Sequence, residues 1–348
     1  MKKIKVAVIG ASGYAGLELV RLLARHPGCE LVALASLEYP GRPFSQIFPA
    51  LAGIVDLSFS QDPTPENIAA AAEVVFTAVP HQTAMGMIPR YLELGCKVVD
   101  LSADFRFRDV SLYEKWYQAH TAPELLAETV YGLPELHREE VRRARLVGNP
   151  GCYPTGVILG LAPLAQAGLL QPDSVIADCK SGTSGAGRQP LLGISFCEVN
   201  DGFRAYKVLE HRHTPEMEQE LSLLAGKTVS VTFTPHLVPM SRGILGTLYA
   251  GLTEPRAEDE LRELYRKFYQ GHPFVRLLPA GSLPDTRNVR GANFCDLGLK
   301  VAPGGRRVIV ISAIDNLTKG AAGQAVHNLN LMMGFPETTG LDVVPFVP

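Results

Sequence analysis

Three groups in this sequence have the residue types and spacing for covalent chemistry at a carbonyl carbon. The first is Cys152, in Gly148-Asn149-Pro150-Gly151-Cys152-Tyr153-Pro154-Thr155. Pro150 fixes one backbone angle and pushes Asn149 toward extended geometry, and Gly151 is expected to supply a conformation that other residues avoid. A helical stretch follows over 157–167. A thiol just before a helix sits where backbone N–H groups and the helix dipole favour a negative charge, and the thiolate is the form that attacks carbon. The bland reading is a buried structural thiol. It suits Cys29, Cys96, Cys179, Cys197 and Cys295, which lie in or beside apolar runs. The second group is His211-Arg212-His213-Thr214-Pro215-Glu216. Thr214 suits a helix N-cap and Pro215 a first helical position. Glu216 then falls in the first turn, in reach of an imidazole it can orient. Either histidine can serve as acid/base, and a capping role for His213 is the plainer alternative. His-x-His without further ligands gives no metal site, so none is expected. The third is Arg106, whose fork suits phosphate or carboxylate. Its alternative is an ion pair with Asp104 or Asp109, and Arg108 reads as solvated. Asn149 is a candidate to orient a substrate carbonyl.

These groups need a scaffold, and the N-terminal part spells one. Residues 4–9 form a β-rich run ending at Gly10. The turn Gly10-Ala11-Ser12-Gly13-Tyr14-Ala15-Gly16 follows, then a helix over 14–25 stopped by Pro27-Gly28, then a strand over 30–35. This is a βαβ unit of dinucleotide-binding length. Its G-x-x-G-x-x-G glycines let the backbone approach a pyrophosphate at the helix N-terminus. Gly10, Ser12, Gly13, Tyr14, Ala15 and Gly16 are therefore candidate cofactor contacts. The second strand ends without a carboxylate in the usual place; Ser36 stands there, with Arg42 behind and Glu38 slightly beyond. A ribose 2′-phosphate fits that set better than a 2′-hydroxyl, so NADP is expected, although Arg42 reads equally well as a solvated loop residue. Further strands over 73–78 and 97–101 make a parallel sheet, with Ala78 and Pro80 at a ligand-facing strand end and His81 a loop residue beside the cofactor.

Beyond Cys152 the pattern changes. Strands over 174–180, 228–234, 243–252, 294–301 and 307–314 are mostly linked without helices, and helices are expected over 215–224 and 257–269. The fold class is α/β: a Rossmann-type dinucleotide-binding domain plus an α+β domain with a mostly antiparallel mixed sheet. Near Gly320 a helical period returns, opened by Asn316 and Leu317. This last helix should fold back on the first domain, so that residues from both chain ends close the cofactor cleft. The expected domains are 1–150 plus 316–348, and 151–315. The glycine-rich run Ser181-Gly182-Thr183-Ser184-Gly185-Ala186-Gly187-Arg188 lacks the ending of a P-loop and reads as a flexible loop at the domain interface.

Composition excludes several classes. The chain has 348 residues, 46% hydrophobic and 20% charged, with a formal net charge of −2. That suits an ordinary globular protein of two domains and gives no basic block for nucleic acid or a membrane surface. No apolar run approaches the roughly 18 residues of a spanning helix. Six cysteines without short paired spacings suit a reducing compartment, here the cytoplasm.

Six motifs in one order carry a family resemblance: the Gly10 to Gly16 turn, Leu101-Ser102-Ala103-Asp104-Phe105-Arg106, the cysteine turn, the run from Ser181 to Arg188, His211 to Glu216, and Asp315-Asn316-Leu317-Thr318-Lys319-Gly320-Ala321-Ala322-Gly323-Gln324. The chain resembles the N-acetyl-gamma-glutamyl-phosphate reductases of arginine biosynthesis over essentially its whole length. These are relatives of aspartate-semialdehyde dehydrogenase. The resemblance implies NADPH-dependent reduction of an acyl phosphate through a Cys152 thioester, with His213 as acid/base beside Glu216. It implies Arg106 on the substrate, with His211 a further contact. Ser181, Gly182, Ser184 and Gly185 are implied to lie at the nicotinamide, and Asn316 and Leu317 are further candidate cofactor contacts. A homodimer or homotetramer is expected, with the second domain supplying the interface. The competing readings are a reductase of carrier-bound aminoadipyl phosphate in lysine biosynthesis, aspartate-semialdehyde dehydrogenase, and a non-catalytic nucleotide sensor.

Overall fold

The computed structural model of the chain describes residues 3–346. They form two compact units. One runs to Pro150 and takes in Ala321–Asp342; the other is Gly151–Gly320 with the chain from Val343 on. The second boundary thus lies five residues later than 315/316, and the tail expected to join the first unit whole is divided. Phe346 explains the last part: its N–H donates to Arg290 O at 2.8 Å and its ring lies where a side chain on Gly291 would stand.

The first unit is built on six parallel strands: β1 Ile4–Ile9, β2 Cys29–Ala35, β3 Val74–Thr77, β4 Lys97–Asp100, β5 Val130–Tyr131 and β6 Leu146–Gly148. Their order is β2-β1-β3-β4-β6-β5. The near-continuous apolar strands are the signature of a sheet covered on both faces, and all four residues of β3 are buried. The helix after the glycine turn, Tyr14–Leu23, ends two residues before Arg25, with Ala24 as its C-cap. After His81 come a 3₁₀ turn, Ala84–Gly86, and a helix, Ile88–Glu93. A sequence gap over 130–148 is filled by the short strands β5 and β6 and by the helix Pro134–Arg143.

The last helix, Gly323–Met332, is buried along its whole length and packs in the first unit. It is preceded by a π-helical turn, Thr318–Ala322, so Asn316 and Leu317 lie ahead of the helix rather than opening it. Its polar residues are bonded inward: Gln324 and Asn328 donate to Gly132 O, both at 2.9 Å, and Asn330 donates to Glu337 O and Thr339 O.

The second unit holds seven strands: β7 Val175–Ser181, β8 Arg204–Ala205, β9 Val231–Leu237, β10 Ile244–Gly251, β11 Val275–Leu277, β12 Cys295–Val301 and β13 Arg307–Ile314. Their order is β11-β12-β13-β10-β7-β9-β8, with four antiparallel and two parallel pairs. The mixed, mostly antiparallel sheet is as expected. On it lies the helix Cys152–Gln166, with thirteen of fifteen residues buried. Gly160 lets it approach, because a Cβ there would stand 2.4 Å from Leu248 Cδ1. Pro163 sits inside this helix and cannot donate to Leu159 O. Tyr269 OH donates to that carbonyl instead, and Tyr265 OH donates to Gly160 O at 2.6 Å.

Candidate active site

The helix of the second unit begins earlier than its apolar period suggests. Cys152 is its first residue and Gly151 its N-cap. Cys152 is half-buried, whereas Cys29, Cys96, Cys179 and Cys295 are buried. Burial pushes the Cys29 thiol up to about 12 and raises that of Cys96, so neither is a nucleophile at neutral pH. Cys197 departs from the expected buried set and is exposed.

Gly151 corrects one expectation. Its backbone, at φ −67 and ψ 153, is extended and open to any residue. The glycine is needed for space: a Cβ there would stand 2.6 Å from His213 Nε2. The imidazole of His213 therefore lies directly against the turn that carries Cys152. Gly320 makes room from another side, where a Cβ would come 2.8 Å from Cys152 Cβ.

The histidine segment also differs from its reading in detail. The helix runs Thr214–Ala225, so Thr214 is its first residue and His213 the N-cap. Thr214 Oγ1 caps nothing; its N–H donates to His211 O at 3.0 Å. Glu216, fully buried, accepts from Gly151 N–H at 2.7 Å. The carboxylate thus fixes the backbone of the cysteine turn. His213 N–H donates to His211 Nδ1 at 3.1 Å, which leaves the proton of neutral His211 on Nε2. Burial, aided by the charges of Lys207 and Arg212, pushes His211 down to about 4. His211 is packed among Tyr153, Tyr206, Phe233 and His213, with ring centroids 4.7–5.6 Å away.

Tyr153 and Tyr206 went unnoticed in the sequence. Their hydroxyls meet at 3.0 Å, and both are pushed up by burial. Nothing in Arg204-Ala205-Tyr206 signals this, because the pairing is made by the two-residue strand β8 against β9.

The residues expected on substrate behave differently in the first unit. Arg106, buried, donates through Nε to Asn149 O at 2.7 Å and through Nη2 to Leu101 O at 2.8 Å. Asn149 is completely buried; its Nδ2 donates to Ala321 O at 3.1 Å and its Oδ1 accepts from Asn328 at 3.0 Å. Both side-chain atoms of Asn149 are engaged, so it braces the end of β6. His81 is exposed and accepts at Nδ1 from Ala103 N–H at 3.0 Å.

The glycine turn fits a dinucleotide. Gly10 has φ +82, and a Cβ there would stand 2.3 Å from Ala78 O; one on Gly16 would stand 2.2 Å from Gly10 O. The chain itself explains those two glycines. Gly13 is different: the nearest atom to a Cβ there is 3.6 Å away, so the protein leaves room beside the N-terminus of the helix Tyr14–Leu23. Room beside a helix N-terminus suits an anionic group. Ser36 Oγ donates to Ser12 Oγ at 2.8 Å and accepts from Glu38 N–H at 3.2 Å, while Arg42 is exposed. Pro80 is exposed at the end of the β3 loop.

In the second unit the Ser181 to Gly187 run is held at several points, not left loose. Gly182 and Ser184 N–H donate to Gly243 O and Ser241 O, and Asn316 Nδ2 donates to Ser184 Oγ at 2.9 Å. Asn316 Oδ1 accepts from Gly243 N–H at 2.8 Å, and the adjoining Asp315 is gripped by both ends of Arg242. Leu317 N–H donates to Asp315. Arg242 is a brace that the sequence did not single out.

A family model described as semialdehyde dehydrogenase, NAD binding domain, matches residues 5–144, and one described as semialdehyde dehydrogenase, dimerisation domain, matches 152–316. Among curated relatives, N-acetyl-gamma-glutamyl-phosphate reductases of Syntrophobacter fumaroxidans and Geobacter metallireducens are each 57% identical, over 99% of this chain and 100% of theirs. The chain belongs to the N-acetyl-gamma-glutamyl-phosphate reductase family. The fold extends beyond these reductases. Vibrio cholerae aspartate semialdehyde dehydrogenase II, solved in complex with ASA, matches with TM-score 0.73 at 16% identity over 96% of this chain and 99% of that one. The Candida albicans aspartate semialdehyde dehydrogenase solved with NADP matches with TM-score 0.72 at 16% identity, over 95% and 99%.

Proposed function

We propose that this chain reduces N-acetyl-gamma-glutamyl phosphate to N-acetyl-L-glutamate 5-semialdehyde and phosphate, the NADPH-dependent step of arginine biosynthesis. The observation that carries the reading is Cys152 at a helix N-terminus, with His213 against its turn and buried Glu216 on the Gly151 N–H. The thiolate, favoured by the helix pole, attacks the acyl carbon; the C–O bond to phosphate breaks and a thioester remains. The bound reduced cofactor supplies the hydride. His213 manages the proton as the tetrahedral adduct collapses to aldehyde. Glu216 occupies the Gly151 N–H and Pro154 has none, so stabilisation of the oxyanion falls to other N–H groups of the first helical turn.

Ser36, rather than an acidic residue, stands just past the end of β2 and bonds Ser12, which favours NADP over NAD. Arg106 is proposed to act on substrate through the backbone it braces. The domain roles follow the same reading, with the first unit holding the cofactor and the second carrying catalysis and a homo-oligomer contact. The six cysteines, none in a disulfide among the described residues, suit a cytoplasmic setting, and no helix among the described residues is long and apolar enough to cross a membrane. The test is phosphate-dependent reduction of NADP with N-acetylglutamate semialdehyde. Turnover with this substrate and none with aspartate semialdehyde is the expected result; no turnover, or a preference for aspartate semialdehyde, overturns the reading.

A further inference from the structure

Ser181, Ile244 and Ile314 stand in one row of the second sheet. β10 sets Ile244 opposite Ser181 of β7 on one side and opposite Ile314 of β13 on the other. The chain beyond this row, 182–187, 238–243 and 315–320, therefore leaves from one end of the sheet. Backbone groups past the end of a ladder need other partners, and these three turns take them from one another, as the bonds of Gly182, Ser184 and Asn316 to 241–243 show.

Asp315 is the centre of the arrangement and is fully buried. Its Oδ1 accepts from Leu317 N–H at 2.8 Å, Thr318 N–H at 3.0 Å and Arg242 Nη2 at 3.0 Å. Its Oδ2 accepts from Arg242 Nε at 2.9 Å and Gly291 N–H at 2.7 Å. Arg242 Nη2 also donates to Thr318 Oγ1 at 3.0 Å. A buried carboxylate gripped in this forked manner is hard to move, because loss of a partner leaves its charge uncompensated.

What the pair grips leads straight to the thiol. Thr318–Ala322 is a π-helical turn, a rare geometry that recurs at functional sites. Gly320 N–H donates to Asp315 O at 2.9 Å. On its other side, a Cβ on Gly320 would stand 2.8 Å from Cys152 Cβ and 3.2 Å from Cys152 Cα. The backbone of 318–320 is thus a wall of Cys152 with no side chain between, and a shift of that backbone is a shift at Cys152. The same unit holds a second forked pair, Arg276 on buried Asp296, at 2.6 and 2.9 Å. Those two residues are register partners of β11 and β12, so that pair braces a sheet. Arg242 and Asp315 lie outside the strands and brace turns.

We propose that Arg242 and Asp315 are positioning residues for the nucleophile: they fix 318–320 so that Gly320 holds Cys152 at the N-terminus of its helix. The role of Cys152 itself rests on the reaction proposed above.

The experiment compares the wild type with Arg242→Lys and Asp315→Asn, and takes Arg276→Lys as a control that weakens a pair of the same kind elsewhere in the unit. Urea midpoints, kcat, KM and the pH dependence of Cys152 alkylation by iodoacetamide are measured, the last by mass spectrometry of the Cys152 peptide. A thiolate at a helix N-terminus is stabilised only while it is held there. His213, Glu216 and Lys319, the titratable groups at or next to its walls, are the same in every variant. Arg242→Lys keeps its charge, and removal of the Asp315 charge would by itself lower a neighbouring thiol's pKa, so a rise in either variant reports position. Both brace variants are expected to lose about ten- to a hundredfold in kcat with KM nearly unchanged, and the alkylation midpoint should rise toward the free-thiol value of about 8.5. Arg276→Lys should lose stability while keeping the wild-type kcat and alkylation midpoint. An unmoved midpoint in the brace variants, a loss in KM alone, or an equal shift in Arg276→Lys overturns the proposal. If both brace variants fail to fold, hydrogen exchange of the wild type decides: the amides of Gly291, Leu317 and Thr318 should be as protected as those of β13, and exchange at the rate of an open loop overturns the grip. A wild type that never turns over N-acetylglutamate semialdehyde refutes the reaction, while alkylation and exchange still judge the brace.

Discussion

At Gly151 the backbone angles permit any residue, but the space does not. Gly151→Ala is therefore expected to fold with a stability change within about 1 kcal/mol. It should lose on the order of 10²-fold in kcat, because the methyl group displaces the His213 ring. Paired denaturation and steady-state measurements check this. The two histidines separate by environment. His211, pushed down to about 4 by burial, stays neutral above pH 5 and contributes no inflection in the ordinary imidazole range. His213→Asn should lose on the order of 10²–10⁴ in rate, whereas His211→Asn should act mainly on KM. A large kcat loss in His211→Asn alone would reverse the two roles. That Cys152 and Glu216 lie at helix starts was legible in the sequence, because turn and first-turn residues are local signals. The partner of Glu216 was not: Gly151 is 65 residues away, and only the folded sheet brings the two together.

At the scale of elements, Pro163 makes the helix Cys152–Gln166 depend on its neighbour. Tyr269→Phe leaves Leu159 O buried without the hydroxyl that replaces the missing N–H. A loss of about 1–3 kcal/mol is expected, measurable as a shift in the urea midpoint. In the first unit, Asp100 at the end of β4 is fully buried and accepts from Thr77 and Ser102. Burial, then the neighbouring Asp104, pushes its carboxyl up to about 6. The folded form therefore holds its proton more tightly than the unfolded chain does. Stability from this group is greatest below pH 4 and declines as pH rises toward 6. Between pH 5 and pH 7.5 the decline is about 1 kcal/mol. Asp100→Asn should remove that pH dependence, and urea titrations at the two pH values read it directly. Long strands such as β1 and β13 were legible to the residue, because apolar periodicity and glycine stops coincide there. The short strands β5, β6, β8 and β11 were not, since two or three residues have no period and exist by pairing alone.

For the whole molecule, the two units divide the labour of the proposed reaction. Cys152→Ser is expected to abolish turnover and leave NADPH affinity unchanged, because the glycine turn and the Ser12–Ser36 pair belong to the first unit and Cys152 to the second. Fluorescence titration against a steady-state assay separates the two; weakened cofactor binding in the serine variant would refute the division. The alternation of strand and helix made the first sheet legible and its loss after Cys152 the second, whereas the division of the tail after Asp342 depends on a contact that Phe346 makes with Arg290, far back along the chain.

The buried helix Gly323–Met332 gives the order of the chain a meaning during synthesis. A ribosome delivers Gly151–Gly320 complete before that helix emerges, while Gly132 O and the Asn149 side chain wait for Gln324 and Asn328. Domains of nascent chains ordinarily finish from the N-terminus onward. Here the unit that is started first waits for a helix made after nearly all of the second, and a chain stalled before codon 323 would carry 151–320 of the second unit behind an open first one.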